Sequence, residues 1–110
     1  EIVSGVINAQ EIAVACNKEG ELFALSNTLP PTGQPATQGL LQNDVIVEQW
    51  SGTAFNLATG EVQGEWCPSL FGQLILSQLN KPQNITVFPA RKQGDIVQVL
   101  VDKVDAVEQT

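Results

Sequence analysis

The chain has 110 residues, 43% of them hydrophobic, and this length allows one domain with a single modest core. Twelve acidic residues against five basic ones give a formal net charge of −7, which argues against nucleic-acid binding and leaves no polybasic patch for anionic lipid. Two cysteines are too few for a disulfide framework, and the chain contains no histidine, so no acid–base pair for catalysis stands out.

Short apolar runs separated by turn sequences predict an all-β domain of antiparallel strands. Strands are expected at residues 12–16, 21–26, 44–49, 53–57, 85–88 and 96–101. Turn sequences at 17–20 and 58–60 end in glycine and connect neighbouring strands. A loop at 28–35 carries three prolines, which fix φ and prevent this segment from pairing as a central strand.

The most informative segment is Glu48-Gln-Trp-Ser-Gly-Thr-Ala-Phe-Asn-Leu-Ala-Thr-Gly60. It resembles the second cluster-binding box of a Rieske iron–sulfur domain, Cys-Pro-Trp-His-Gly-x-x-Phe-Asp/Asn-x-x-Thr-Gly. The matching positions are Trp50, Gly52, Phe55, Asn56, Thr59 and Gly60. In this alignment Glu48 stands at the cysteine position and Ser51 at the histidine position.

Two other segments carry the same resemblance. Residues 20–27 are similar to the strand that leads into the first Rieske box, Cys-x-His, and this places Leu29 at the cysteine and Pro31 at the histidine position. Residues 87–97 are similar to the closing Tyr-Pro-Val-Arg-x-x-Gly-Asp-x-Val of the family. The resemblance implies one Rieske-like domain over residues 1–110, folded as a small antiparallel β-sandwich or barrel.

The four positions that would ligate a cluster carry no suitable donors. A Rieske cluster takes two thiolates on one iron and two imidazoles on the other. The aligned residues are Leu29, Pro31, Glu48 and Ser51, while the two cysteines, Cys16 and Cys67, lie outside both boxes. The resemblance therefore implies a domain with no cluster, no metal and no catalytic residue, and so with no cofactor of this kind.

An inserted segment at about 61–84 departs from the family, whose members need only a few residues between the Thr-Gly turn and the closing strand. Ser69, directly after Pro68, is a suitable N-cap for a short helix. In such a helix one face would carry Phe71, Leu74, Ile75 and Gln78.

Two interpretations of this helix remain open. We favour a helix that packs its apolar face on its own domain, because most apolar helical faces belong to a core. Alternatively, the insertion presents Trp66, Leu70 and Phe71 to a partner, since long insertions on a compact scaffold are often functional. Trp50, in the loop tip of the second box, is a further candidate for partner contact.

The two cysteines have different expected environments. Cys16 follows an apolar run and is expected to be a buried small hydrophobe. Cys67 precedes Pro68 in a segment flanked by glycine and proline, and is expected to be the more exposed thiol. Nothing in the sequence supports a bond between the two.

The resemblance implies a structural or protein-binding function rather than an enzyme. Of the ligand-less Rieske-like families, the chain looks closest to the photosystem-II-associated Rieske-like proteins of plant chloroplast thylakoids. It shares with them the enlarged segment after Gly60 together with an intact Phe-Asn-Leu-Ala-Thr-Gly. The resemblance implies a domain on the stromal side that helps to organise photosystem II and its light-harvesting antenna.

Two alternatives belong to other classes: the small ligand-less subunit of an NADH-dependent nitrite reductase, and a Rieske-type ferredoxin-like redox component. The thylakoid interpretation predicts a transit peptide before Glu1 and an apolar membrane anchor of about 20 residues after Thr110. The nitrite reductase interpretation predicts a free-standing chain that copurifies with a large sirohaem subunit.

Overall fold

The strands of the protein form two four-stranded antiparallel sheets and one separate hairpin, as seen in a computed structural model that describes residues 2–101. The strands are β1 (Ile2–Ile7), β2 (Gln10–Cys16), β3 (Leu22–Ser26), β4 (Leu40–Gln42), β5 (Val45–Val47), β6 (Ala54–Asn56), β7 (Val62–Gln63), β8 (Val87–Phe88), β9 (Ala90–Gln93) and β10 (Ile96–Val99). The all-β expectation is confirmed, although the described sheets stay open and do not close into a barrel. The ends of the expected domain, Glu1 and 102–110, lie outside the described residues.

The main core lies between the buried faces of the two larger sheets. The first sheet has the order β1-β2-β3-β8 and contributes Ala13 and Leu25 to this core. The second has the order β4-β5-β6-β7 and contributes Ile46 and Phe55, which face each other across β5 and β6. Because apolar side chains from both sheets form one cluster, burial of this shared face holds the sheets together.

The strand β5 also directs a polar side chain inward. Ile46 is fully buried, and side chains two residues apart on a strand point to the same face. Glu48 follows Ile46 by two residues and is fully buried as well. The alternation that buries Ile46 therefore brings the Glu48 side chain into the protein interior at the point where β5 ends.

All six expected strands are present, with shifted ends, and four observed strands were not predicted. The missed strands are β1, β4, β7 and β9. The strand β1 contains Gly5 and exposes most of its side chains, so it lacks the apolar alternation that marks a half-buried strand. The strands β4 and β7 have only three and two residues and are defined by their pairing rather than by their own sequence.

The inserted segment contains the short helix expected from the sequence. A π-helical turn at Gly72–Leu76 continues into an α-helical turn at Ser77–Leu79, and Leu70 and Phe71 begin the same helical run. We call residues 70–79 the insertion helix. The predicted cap is confirmed, because Ser69 Oγ accepts a hydrogen bond from the Gly72 N–H at 2.9 Å.

The favoured interpretation of this helix as packed on its own domain is wrong. The face expected to be buried, with Phe71, Leu74, Ile75 and Gln78, is exposed, and within the insertion helix only Gly72 is buried. The physical reason is a close backbone approach at Gly72. A Cβ atom there would lie 2.8 Å from both Ser51 O and Cys67 O, so the helix touches the domain through its backbone.

The cysteine expectations also need correction. Cys67 is fully buried rather than exposed, because its backbone N–H donates to Thr53 Oγ1 at 2.9 Å and draws the insertion onto the loop before β6. Cys16 is half-buried, and its thiol lies 3.6 Å from the carbonyl oxygen of Asn17. Cys67 is a free thiol, so the two residues are not joined by a disulfide. No helix within residues 2–101 has the length and apolarity needed to cross a membrane.

Candidate functional site

The four positions aligned with cluster ligands lie in two loops. Leu29 is fully buried and belongs to the main core, and Pro31 is half-buried in the proline loop. Glu48 and Ser51 are fully buried in the loop that connects β5 and β6. We call residues 48–53 the tip loop. Leu29 and Pro31 therefore have hydrocarbon side chains. Glu48 and Ser51 instead place a carboxylate and a hydroxyl inside the protein.

The carboxylate of Glu48 stabilises the tip loop by accepting hydrogen bonds from the backbone of the same loop. Its Oε2 accepts the backbone N–H of Trp50 at 2.9 Å, and its Oε1 accepts the N–H of Ser51 at 3.0 Å. The main chain of Glu48 adds two bonds, donating to Thr53 O and accepting from Gly52 N–H, both at 2.8 Å. Buried N–H groups need acceptors, so this carboxylate satisfies the Ser51 N–H, which would otherwise be left unpaired in the interior, and also holds the Trp50 N–H.

Two hydroxyl groups extend this network towards the insertion. Ser51 Oγ and Thr53 Oγ1 are hydrogen-bonded at 2.8 Å, and Ser51 Oγ also accepts the Thr53 N–H at 3.1 Å. Thr53 Oγ1 in turn accepts the N–H of Cys67. Both side chains are fully buried, and together they tie the start of the insertion to the base of the tip loop.

The insertion helix begins directly on the tip loop. The Ser69 N–H donates to Ser51 O, and the Ser69 hydroxyl donates to Trp50 O, each at 2.9 Å. The same hydroxyl oxygen caps the helix at Gly72. As a result the Trp50 and Phe71 rings meet edge to face, with centroids 6.1 Å apart and planes inclined by 63°. The tip loop and the insertion helix therefore form one continuous unit.

The residues proposed from the sequence for partner contact differ in exposure. Trp50, Leu70 and Phe71 are exposed. Trp66 is half-buried, packs against the main core, and donates its indole N–H at 3.2 Å to the carbonyl oxygen of Asn80, the residue that follows the insertion helix. Sequence reasoning assigned Leu74 and Ile75 to the core, yet both are exposed beside Phe71.

These exposed side chains form a surface that is apolar and rigidly supported. We call Trp50, Leu70, Phe71, Leu74 and Ile75 the apolar surface. Within residues 2–101 there is no grouping of three or more His, Cys, Asp or Glu side chains that could hold a metal ion. The arrangement can bury hydrocarbon against another molecule, and the groups around it are committed to internal hydrogen bonds.

Comparison with known proteins agrees with this fold. The sequence model of a family described as "Rieske-like [2Fe-2S] domain" matches residues 1–100. No curated protein sequence matches the chain significantly. The Sphingomonas yanoikuyae B1 ferredoxin is similar in structure, with a TM-score of 0.68, 21% identity, and coverage of 90% of this chain and 83% of that chain.

Two further solved structures belong to a carbazole 1,9a-dioxygenase system. A chain in the complex of reduced oxygenase and oxidized ferredoxin has a TM-score of 0.66 and 23% identity over 90% of this chain and 87% of its own. The terminal oxygenase from Nocardioides aromaticivorans IC177 has a TM-score of 0.68 and 18% identity, covering 93% of this chain and 26% of its own. At these identities the likeness shows a shared fold.

Proposed function

Because the chain belongs to the Rieske-like [2Fe-2S] domain family, we propose that it is a non-catalytic, cluster-free member of that family that acts as a protein-interaction module. The observation that carries this proposal is the tip loop. At the place where the family pattern has two cluster ligands, this chain has a carboxylate and a hydroxyl that already bond internally.

The residues present do not fit a Rieske cluster. The chain has no histidine to supply imidazole, Leu29 places hydrocarbon in the core, and Pro31 offers no side-chain donor. Both carboxylate oxygens of Glu48 are occupied by backbone N–H groups, and hard oxygen donors match iron–sulfide chemistry poorly. Electron transfer through such a cluster therefore has no ligand set in this chain.

Several features support protein binding as the remaining role. The family frame is kept, the tip loop is fixed by Glu48, and the insertion helix exposes large apolar side chains beside the Trp50 ring. In the carbazole 1,9a-dioxygenase system, a structurally similar chain forms part of a complex of oxygenase and ferredoxin. Docking to a protein partner is therefore compatible with this fold.

We further propose the thylakoid role implied by the sequence resemblance. In this proposal the domain faces the stroma at the chloroplast thylakoid membrane, through an anchor outside this chain. It contacts photosystem II or its light-harvesting antenna and helps to organise them. The supporting feature is the enlarged insertion after Gly60, which combines with an intact Phe-Asn-Leu-Ala-Thr-Gly.

Affinity capture from thylakoids tests this proposal. The tagged chain is mixed with gently solubilised thylakoid membranes, cross-linked, and its partners are identified by mass spectrometry. The Sphingomonas yanoikuyae B1 ferredoxin, which shares the fold, serves as the matched bait. The proposal expects photosystem II or antenna subunits on this chain and not on the control bait.

Other results would contradict the proposal. Equal recovery of those subunits on both baits, or none on this chain, would remove the thylakoid role. If extracts that contain NADH-dependent nitrite reductase yield its large sirohaem subunit on this chain instead, the small-subunit alternative replaces it.

A further inference from the structure

We propose that β10 pairs edge to edge with β10 of a second copy of the chain, so that two β9–β10 hairpins form one continuous antiparallel sheet across a two-fold axis. This inference goes beyond the proposed function, because it does not depend on which other protein the domain contacts. Three observations carry it: the open edge of β10, the direction of its backbone groups and the symmetry of its sequence about Gln98.

The hairpin has an open and unprotected edge. Within residues 2–101, β10 pairs with β9 alone, and the two strands form a sheet of their own. Soluble proteins usually protect a sheet edge with charged side chains, proline or a bulge. The sequence Ile96-Val-Gln-Val-Leu-Val101 contains neither a charged residue nor a proline. Such an edge is a template for the addition of another strand.

The backbone groups that point towards this edge belong to Val97 and Val99. In an antiparallel pair, the residues that bond to the neighbouring strand alternate with residues whose N–H and C=O point away from it. The Leu100 N–H donates to Pro89 O at 2.9 Å, in the same register as the β9–β10 pairs. The even-numbered residues of β10 therefore bond to β9, and the odd-numbered residues direct their backbone groups to the open edge.

The sequence of β10 has similar chemistry in both directions from Gln98. An antiparallel pairing centred on Gln98 sets Val97 of one copy opposite Val99 of the other. These are the residues whose backbone groups face the edge, so each such pair can exchange both of its hydrogen bonds. A two-fold interface needs a self-complementary surface, which this strand provides. The symmetry favours a second copy over a strand of unrelated sequence.

The same register covers two exposed apolar side chains. Ile96 is 65% exposed and Leu100 is 64% exposed, while on the opposite face of the strand Val99 and Val101 pack in a second core cluster. In the centred register Ile96 lies opposite Leu100 of the second copy, at a position without backbone hydrogen bonds. Cβ atoms approach there to about 4.5–5.5 Å, and aliphatic pairs at this distance stabilise sheets.

The charges of the hairpin do not oppose this pairing. The chain has a net charge of −7, but the hairpin carries Arg91 and Lys92 on β9 and Asp95 in its turn. In the centred register Asp95 lies opposite Val101 of the second copy, so no two like charges face each other. Arg91 Nε donates to Gln98 Oε1 at 2.7 Å and so holds the central glutamine.

Disulfide cross-linking tests the register directly. In a Cys16→Ser background, Gln98→Cys places a thiol beside its own copy, at a Cα separation of about 4.5 Å, within the range that a disulfide spans. Ile96→Cys is the matched control, since its two copies would lie about 13 Å apart along the strands. Both variants of the whole chain are incubated with oxidised glutathione and resolved on non-reducing gels. We expect at least about five-fold more covalent dimer for Gln98→Cys.

Sedimentation equilibrium over a range of concentrations measures the association without a cross-link. We expect a reversible dimer with a dissociation constant on the order of 10–100 µM, as for small and weak interfaces. Val97→Pro removes an N–H that points to the open edge but keeps the bonds to β9, and should weaken the dimer at least about ten-fold. Leu74→Lys changes a similarly exposed side chain on the insertion helix and should leave the dimer unchanged. Circular dichroism checks that the variants are folded.

Several outcomes would overturn the inference: a monomer at all concentrations, equal cross-linking of the two cysteine variants, or an intact dimer in a folded Val97→Pro variant. Loss of the dimer in Leu74→Lys would assign the association to the insertion helix instead. Assemblies larger than a dimer would indicate that β10 pairs with a different edge of the next copy. If Val97→Pro does not fold, the comparison of the two cysteine variants still decides.

Discussion

Ser51 lies three residues after Glu48, and its backbone N–H donates a 3.0 Å hydrogen bond to Glu48 Oε1 inside the protein. The other oxygen of the same carboxylate accepts the Trp50 N–H. The Glu48 side chain therefore binds two backbone N–H groups of the tip loop. Where the family pattern places a cluster ligand, the carboxylate of this chain acts as an internal acceptor and fixes the shape of the tip loop.

Replacing this carboxylate should destabilise the fold. Glu48→Gln keeps the size of the side chain but offers one acceptor oxygen, so either the Trp50 or the Ser51 N–H would face an amide donor. We expect a loss of about 1–3 kcal/mol in the free energy of unfolding, and a larger loss for Glu48→Ala. Urea unfolding at constant pH measures the change, with the exposed Glu65→Gln as control. Equal midpoints for the Glu48 and Glu65 variants would contradict this role.

Adding a methyl group at Gly72 should disturb the contact between the insertion helix and the backbone at Ser51 and Cys67. The new Cβ would lie 2.8 Å from the backbone oxygens of Ser51 and Cys67, which cannot move without shifting the tip loop. We expect Gly72→Ala to lose about 1–3 kcal/mol of stability. Gly5→Ala is the control, because nothing lies within 4 Å of its added Cβ. The prediction fails if the two variants unfold at the same urea concentration.

The apolar surface should contribute little to stability. Leu74→Ser removes an exposed side chain, and we expect the free energy of unfolding to change by no more than about 0.5 kcal/mol. Phe55→Ala removes a fully buried ring at the centre of the core and should cost about 3–5 kcal/mol. Thermal or urea unfolding compares the two. A loss for Leu74→Ser close to that for Phe55→Ala would show that the helix face is packed after all.

The thiol of Cys67 should be protected in the native state. It lies within the insertion and is fully buried, so a thiol reagent can reach it only when this segment opens. In a Cys16→Ser background, we expect slow reaction with Ellman's reagent in buffer and rapid reaction in denaturing urea. Adding Gly72→Ala should accelerate the native-state reaction. Immediate modification of native Cys67 would place the residue on the surface.

The sequence predicted the strands in which the apolar residues are also the residues buried in the core. The strands β2, β3, β5 and β6 carry the core side chains Ala13, Leu25, Ile46 and Phe55, and each lies within or across an expected strand. The strand β1 was missed because its largely exposed side chains and Gly5 give no alternation. A strand of this kind is fixed by pairing with its neighbour, which a local pattern does not record.

The candidate site was only partly predictable for a similar reason. Alignment placed Glu48 and Ser51 at positions where the family pattern has cluster ligands, but only the folded loop shows that the Glu48 carboxylate accepts two backbone N–H groups. The periodicity of the insertion indicated an apolar face but not its direction. That direction depends on the close approach at Gly72, which buries the glycine and leaves Leu74 and Ile75 outside.

The measurement that tests the central claim most directly is the iron content of the protein purified without oxygen. The chain is expressed together with iron–sulfur assembly machinery and purified anaerobically, beside a Rieske ferredoxin as positive control. Iron, acid-labile sulfide and visible absorption are then determined. We predict a colourless protein with iron and sulfide at background levels. About two irons and two sulfides per chain, with the visible absorption of a 2Fe–2S cluster, would contradict the account.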